Sequence, residues 1–269
     1  MIHHVDEHSV LFLSLDSCRH DAFEAADAPA LKGVGRVRRA KAPSHFTYGS
    51  HAAMFVGFTP GVAEEQTPFF NPKFARLFRL NYAGHPGAAP PGFLLSGDNI
   101  VDGFRNAGHR TIGTAAMGWF DPATAVSATL RSGFDAFNFV GSRGVRAQVQ
   151  WIEEQLAAAD DAPVFVFANI GETHVPYHYE GAPWSADDNP CVPFQTQDRS
   201  AECRRRQIAC VEYVDRQIAA LIERFHGATI LMCADHGDCW GEDGLWEHGV
   251  SHEMTLTVPL AIRYRGRPL

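Results

Sequence analysis

The strongest constraint on the fold is a series of five short apolar runs, each separated from the next by a polar or amphipathic stretch. Runs of this length with almost continuous apolarity are typical of strands buried on both faces, as in a parallel sheet. Two intervening segments, 145–159 and 202–225, repeat apolar residues at spacings of three and four, which indicates amphipathic helices. The alternation predicts an α/β fold with a mostly parallel central sheet and helices on both faces. The runs are residues 9–15, 110–115, 163–170, 228–234 and 258–264.

The whole chain, residues 1–269, is predicted to form one domain, because 269 residues suit a single large α/β core. Two segments, about 59–97 and 179–200, are rich in Pro, Gly or polar residues and predict irregular loops. Long irregular segments of a compact domain are usually surface loops and less often lids over a site.

Charge and composition exclude two classes of protein. Lys and Arg total 23 against 31 Asp and Glu, which gives a formal charge of -8, whereas a general nucleic-acid binder needs a basic face. No run approaches the roughly 18 to 20 apolar residues of a membrane span, so we expect no membrane partner. The six cysteines have no regular spacing and the N-terminal segment lacks a signal-peptide pattern, which together predict a cytoplasmic protein with reduced thiols. The sequence leaves a homo-oligomer open.

Acidic residues and histidines follow the predicted strands closely. Asp16 ends the first run, His174 comes shortly after the third, and Asp235 and His236 follow the fourth. The carboxyl ends of such strands meet at one edge of the sheet, where ligands bind in α/β proteins. Two carboxylates and an imidazole in one place repel or desolvate each other unless a cation neutralises them. Oxygen and nitrogen ligands without thiolate predict a divalent ion, with zinc or manganese the best candidates.

Four motifs, taken in order along the chain, resemble those of the alkaline phosphatase superfamily in its compact sulfatase-like branch. The family pattern D-x-x-R-x-D matches residues 16–21, and a nucleophile segment of the form T-x-P-S-H-x-S-M-F-T-G is similar to residues 47–57. The H-x-P element matches residues 174–176. The late signature D-H-G-E, followed by V-P-L, is similar to residues 235–238 and 258–260. The resemblance covers nearly the whole chain and implies the same α/β fold.

This resemblance places the nucleophile at Thr47. A separate P-S-H at residues 43–45 would put Lys41 in that position, and a lysine cannot attack as an alkoxide. It would also leave the M-F-x-G element at the wrong distance. Matching Ser50 and His51 to the motif instead gives the family's spacing.

The resemblance implies three groups of functional residues: catalytic residues, metal ligands and residues that bind the substrate. The implied catalytic residues are Thr47, His174 and His248. The implied ligands of the first ion are Asp16, Thr47, Asp235 and His236. A second ion, which the sequence leaves open, would be held by Glu172, His174, His178 and His248. The substrate is expected to contact Ser50 and His51.

The predicted function is metal-dependent hydrolysis of phosphate mono- or diesters through a covalent Thr47 intermediate. Sulfatases of this family carry Cys or Ser followed by x-P-x-R, which is oxidised to formylglycine, and Thr47 has no such sequence. The partner is therefore expected to be a small anionic ester. Three alternatives stay open: a phosphotransferase to an acceptor alcohol, a sulfatase-type ester hydrolase, and a non-catalytic metal-binding partner protein.

Overall fold

The computed structural model describes residues 4–56, 99–159 and 162–269 as an alternation of strands and helices. The strands are β1 (Val10–Leu15), β2 (Arg38–Lys41), β3 (Arg110–Ala115), β4 (Ala136–Phe139), β5 (Val164–Ile170), β6 (Thr229–Ala234), β7 (Cys239–Trp240), β8 (Trp246–Glu247), β9 (Thr257–Tyr264) and β10 (Arg267–Pro268). The helices are α1 (His20–Ala25), α2 (Pro29–Lys32), α3 (Thr47–Val56), α4 (Ile100–Asn106), α5 (Ser127–Arg131), α6 (Val145–Ala157), α7 (Ser200–Arg224) and α8 (Glu253–Leu256).

Within those ranges, eight strands form one mixed, mostly parallel sheet in the order β10-β9-β6-β1-β5-β3-β4, with β2 also paired to β9. The five strands from β6 to β4 run parallel to one another. Strand β9 runs antiparallel to β6, and β2 and β10 run antiparallel to β9. Strands β7 and β8 form a separate short hairpin.

Strands β1, β3 and β5 each contribute to two hydrophobic cores, one on each face of the sheet. In β1, Leu11, Leu13 and Leu15 pack into the core that also contains apolar residues of α6 and α7. Val10 and Phe12 point to the opposite core, which contains apolar residues of α3 and α4. Side chains of a strand alternate between its faces, so a strand covered on both sides must be apolar at nearly every position. This is the physical origin of the continuous apolar runs.

The prediction of an α/β fold is confirmed. The five apolar runs correspond to β1, β3, β5, β6 and β9, and the two amphipathic segments correspond to α6 and α7. Strands β2, β4, β7, β8 and β10 were not predicted. The exposed sequence Arg38–Lys41 has no apolar pattern because β2 lies outside the buried centre of the sheet.

Of the two predicted loops, residues 59–97 lie outside the described residues. In the other, residues 179–199 contain neither helix nor strand. Its end is fixed to α7 by ion pairs: Asp188 pairs with Arg199 and with the buried Arg206, and Glu202 pairs with both arginines.

All six cysteines are buried and unpaired. Among the described residues, every helix is too short or too polar to cross a bilayer.

Candidate metal centre and catalytic site

Asp16 and Asp235 are brought together by the register of two neighbouring strands. Strands β1 and β6 are parallel, and Leu15 lies opposite Ala234. The next residue on each strand is one of the two aspartates, and adjacent strands lie about 4.8 Å apart. Both side chains are completely buried. The sheet therefore places two carboxylates side by side at its carboxyl edge.

The hydroxyl of Thr47 lies beside Asp16 and His236, and His236 also lies close to Asp235. Thr47 Oγ1 lies 3.4 Å from Asp16 Oδ1 and 3.3 Å from His236 Nε2. The same Nε2 lies 3.8 Å from Asp16 Oδ1 and 3.6 Å from Asp235 Oδ2. Asp16, Asp235 and His236 have the mutual spacing of ligands for one metal ion. The structure thus brings together the four residues that the sequence predicts around the first ion.

Hydrogen bonds hold one oxygen of each aspartate and leave the other directed at this cluster. Asp16 Oδ2 accepts a hydrogen bond of 2.9 Å from the side-chain amide of Asn169. Asp235 Oδ1 accepts from the backbone N–H groups of Ser17 at 3.0 Å and His236 at 2.9 Å. These outer contacts fix the orientation of the inner oxygens, which is how metal ligands are commonly supported.

The remaining donor atoms are suited to bind a cation. His236 donates its Nδ1 proton to the carbonyl of Gly237 at 3.0 Å, which leaves the lone pair on Nε2. Asp235 Oδ2 has no hydrogen-bond partner within the part of the chain that the structure describes. A buried carboxylate oxygen without a donor is unfavourable, and a cation beside it removes that penalty. The donor set therefore fits a divalent ion.

Burial dominates the protonation of this cluster. Burial, reinforced by the charge of Asp235, raises the pKa of Asp16. Burial also raises the pKa of Asp235 to about 6, although two backbone N–H groups bind its carboxylate. Burial and the nearby charge of His248 lower the pKa of His236 to about 4. A neutral imidazole is the form that ligates metals, and a bound cation would favour the charged form of both carboxylates.

A second histidine, His248, is oriented by a buried carboxylate. Its Nδ1 lies 2.7 Å from Asp238 Oδ1, and Asp238 Oδ2 accepts from the hydroxyl of Tyr177 at 2.8 Å. The Tyr177 oxygen accepts in turn from Trp240 Nε1 at 2.8 Å. Burial opposes the charge on His248, but Asp238 raises the pKa of His248 to about 9. The ring centroid of His248 lies 4.5 Å from that of His236.

His174 lies next to this pair. Its ring centroid is 5.0 Å from that of His248, and its Nδ1 donates to the carbonyl of Val175 at 2.8 Å. Both His174 and His248 are partly exposed, whereas His236 is completely buried. The two predicted catalytic histidines thus form the accessible side of the centre.

Thr47 is the first residue of helix α3, which runs to Val56. The N-terminus of a helix of this length carries partial positive charge and favours an anionic group. Lys41, by contrast, is an exposed residue of β2. The structure places Thr47, and not Lys41, beside the predicted metal ligands.

Ser50 and His51, which the sequence predicts to contact the substrate, are both completely buried. Ser50 Oγ donates to the backbone carbonyl of Asp235 at 2.6 Å. His51 Nδ1 donates to the carbonyl of Thr47 at 2.8 Å, and its ring packs against Phe120 with centroids 5.2 Å apart. Ser50 and His51 lie one turn into α3, and their hydrogen bonds help to fix the backbone of Asp235 and Thr47.

The four residues predicted for a second ion do not come together, which corrects that expectation. Glu172 Oε1 accepts from the backbone N–H groups of Gly144 at 2.9 Å and Val145 at 2.8 Å, at the start of α6. Glu172 and His178 line a cavity of their own. Among the described residues, the groups with metal-ligand spacing include neither of them, nor His174.

The reason lies in strand register. Asp16 is level with the end of β5, because its N–H donates to the carbonyl of Ile170. Glu172 comes two residues later and turns towards α6 instead. The described residues contain a different second group, which consists of His236, Asp238 and His248.

Sequence reasoning assigned no role to Asp238 and Asn169. Asp238 occupies the last position of the D-H-G-E motif, so the sequence shows an acidic residue there. The sequence does not show that this residue contacts His248. Asn169 is a completely buried polar residue within the apolar run of β5. A lone amide in such a run, next to the strand end, was the available signal.

Comparisons with known proteins bear on the fold. No protein-family model matches the sequence. Choline-sulfatase of Rhizobium meliloti (strain 1021) is 34% identical over 73 residues, which is 25% of this chain and 14% of that protein.

Solved structures match over almost the whole chain. The C-terminal periplasmic domain of phosphoethanolamine transferase EptC from Campylobacter jejuni has a TM-score of 0.65 at 13% identity, over 97% of this chain and 80% of that domain. The corresponding Escherichia coli EptC domain, in complex with Zn, has a TM-score of 0.65 at 11% identity, over 97% and 74%. Phosphonate monoester hydrolase of Agrobacterium radiobacter has a TM-score of 0.59 at 14% identity, over 97% and 70%.

These comparisons contradict the expectation of a cytoplasmic protein, because the EptC domains are periplasmic. The expectation rested partly on reduced cysteines. Buried thiols such as these six are shielded from oxidants in either compartment, so they do not indicate location.

The chain has a mostly parallel sheet with the ligand cluster at its carboxyl edge. Its structural matches extend over 97% of the chain. At such low identity the matches establish the fold. The chain has the fold of the alkaline phosphatase superfamily, in its sulfatase-like form.

Proposed function

We propose that this protein is a metal-dependent phosphoesterase whose nucleophile is Thr47. The observation that carries the proposal is that Asp16 and His236 approach the Thr47 hydroxyl, and that Asp235 completes a group with metal-ligand spacing beside it. Isolated from such neighbours, a threonine hydroxyl is a weak nucleophile. A buried cluster of two carboxylates and an imidazole beside it has no evident structural purpose, because it is electrostatically unfavourable without a cation.

The ion would be held by Asp16, Asp235 and His236. Zinc is proposed in preference to manganese, because an imidazole with carboxylates is a common zinc ligand set and because one domain of the same fold was solved with Zn. When bound, the ion lowers the pKa of the Thr47 hydroxyl and offsets the negative charge of the substrate.

The residues of the chain then have separate tasks. Thr47 Oγ1 attacks phosphorus, and the bond from phosphorus to the ester oxygen breaks. His248, held by Asp238, donates a proton to that leaving oxygen. The start of α3 and His174 bind the non-bridging oxygens of the phosphoryl group. In the second step water gives a proton to the now neutral His248 and attacks phosphorus, and the bond from phosphorus to Thr47 Oγ1 breaks, which regenerates the form of Thr47 that attacked.

Phosphate esters should turn over much faster than sulfate esters. A sulfatase releases sulfate from hydrated formylglycine through the second hydroxyl of that group, and Thr47 has only one hydroxyl. The comparison uses nitrophenyl phosphate, bis-nitrophenyl phosphate and nitrophenyl sulfate on zinc-loaded and manganese-loaded protein. We expect at least about a hundredfold preference for a phosphate ester, measured as kcat/KM. A preference for the sulfate would contradict the proposed reaction.

A phosphotransferase is the second candidate, because the domains of phosphoethanolamine transferases share the fold over 97% of this chain. It differs from the hydrolase only in the acceptor, since an alcohol replaces water in the second step. Adding glycerol to the assay separates the two. Phosphoglycerol would accumulate with a transferase, whereas a hydrolase would release mainly inorganic phosphate.

The Asp238–His248 pair gives a prediction about leaving groups. Asp238→Asn should lower turnover of phenyl phosphate by about a hundredfold and should have a much smaller effect on nitrophenyl phosphate, whose leaving oxygen needs little protonation. The reason is that Asp238 fixes His248 and keeps it protonated. Steady-state kinetics on both esters provides the test.

Tyr177→Phe is the matched control, because it removes the other hydrogen bond to Asp238 and leaves the bond to His248 in place. Its leaving-group dependence should resemble that of the wild type. An equal loss on both esters in Asp238→Asn would instead indicate a general structural role.

A further inference from the structure

A cavity of about 700 Å³ lies between β2 and α1, outside the catalytic cluster. Arg19 lines this cavity. Its side chain also packs closely against Gly237, the residue after His236: a methyl group added at Gly237 would lie 3.2 Å from Arg19 Cγ. Arg19 donates to Asp21 at 2.8 Å and to Glu242 at 2.7 Å. Arg19 therefore lies between the cavity and the centre, and the two carboxylates balance its positive charge.

The rest of the cavity carries an excess of positive charge. Arg36, Arg38 and Arg39 line it from β2 and the residues before it, and all three are exposed. Within the described residues, the side chains of Arg36 and Arg38 make no hydrogen bond or ion pair. Arg39 has only an exposed contact of 3.2 Å to Glu253, and such contacts contribute little.

The opposing acidic charge is small. Asp21 is already bound by Arg19, so Glu24 is the carboxylate of the lining that remains. The chain as a whole has a formal charge of -8, so this local basic cluster runs against the general charge of the protein. Charged side chains on a strand at the margin of a sheet can also serve to prevent edge-to-edge aggregation. These arginines line a concave surface.

We propose that this cavity is a binding site for a ligand that carries several phosphate or sulfate groups. Guanidinium groups bind both kinds of oxyanion through paired hydrogen bonds. The cavity volume lies within the range of small-molecule sites. The site is separate from the proposed ester chemistry and does not depend on it.

The test measures binding of two probes, sucrose octasulfate and inositol hexakisphosphate, by calorimetry at low salt. Arg36→Glu/Arg38→Glu should weaken binding of at least one probe by about tenfold or more. The probe that binds distinguishes a sulfated from a phosphorylated ligand. Circular dichroism and Tm of the variant should match the wild type, because both side chains lie at the surface.

Arg216→Glu/Arg265→Glu is the matched control, since it reverses the same number of exposed arginines elsewhere. It should bind the probes like the wild type. Asp235→Asn should also bind them normally, and Arg36→Glu/Arg38→Glu should cleave small phosphate esters at the wild-type rate. Failure of the ester chemistry therefore leaves this test intact. Equal losses in both double variants, unchanged binding in Arg36→Glu/Arg38→Glu, or binding of neither probe by the wild type would overturn the proposal.

Discussion

Thr47→Ala is expected to reduce phosphate ester cleavage by at least about a thousandfold while leaving the fold unchanged. The Thr47 hydroxyl lies 3.3 Å from His236 Nε2 and 3.4 Å from Asp16 Oδ1, and alanine removes the attacking oxygen. The measurement is kcat/KM on nitrophenyl phosphate with metal-loaded protein, together with Tm and metal content.

Thr47→Ser is the conservative control, because it retains a hydroxyl at the start of α3 and should retain part of the activity. Retention of most activity by Thr47→Ala with normal metal content would exclude Thr47 as the nucleophile. Ser44 and Ser50 would then be the next residues to replace. Ser50 is the weaker of these two, since its hydroxyl is buried and donates to the carbonyl of Asp235.

The second large effect concerns the metal ligands. Asp16→Asn, Asp235→Asn and His236→Ala should each lower the amount of bound zinc, measured by elemental analysis after dialysis. An ion that binds only the folded state stabilises it by mass action, by about 2.7 kcal/mol at a hundredfold excess over Kd. The Tm of the zinc-loaded variants should therefore lie below that of the zinc-loaded wild type.

After the metal is removed by chelation, the Tm of Asp235→Asn should no longer lie below that of the wild type. Without a cation, Asp16 and Asp235 are two buried carboxylates that raise the unfavourable charge of the centre. Replacing one by a neutral amide removes that repulsion, so the variant should be as stable as the chelated wild type or more stable. Metal content equal to wild type in all three variants would contradict the assigned ligands.

The sequence was sufficient for the main strands, because burial on both faces leaves a continuous apolar run that no other element of this length requires. It was also sufficient to place Asp16, Asp235 and His236 close to one another. Asp16 and Asp235 directly follow recognisable strands, His236 is the next residue, and parallel register then fixes their neighbourhood.

Residues further from a strand end could not be placed in this way. Glu172 and Ser50 belong to the recognised segments, but their roles depend on the direction of a side chain within a turn or helix. The Asp238–His248 contact joins residues across the β7–β8 hairpin, and the pairing of such short strands leaves no periodic pattern in the sequence. Strand β2 carries four residues with no apolar alternation, so its place beside β9 depends on tertiary contacts alone.

The hydrogen bond between Ser17 and Asp235 joins positions that are 218 residues apart in the sequence. On a ribosome that adds about 5 to 20 residues per second, the second half of the ligand cluster emerges on the order of 10 to 40 seconds after the first. During that interval the nascent chain holds Asp16 and Thr47 but cannot form the centre. Any fragment that ends before residue 235 lacks two of the three proposed ligands, so ion loading must follow the synthesis of β6 and cannot guide the folding of the segments before it.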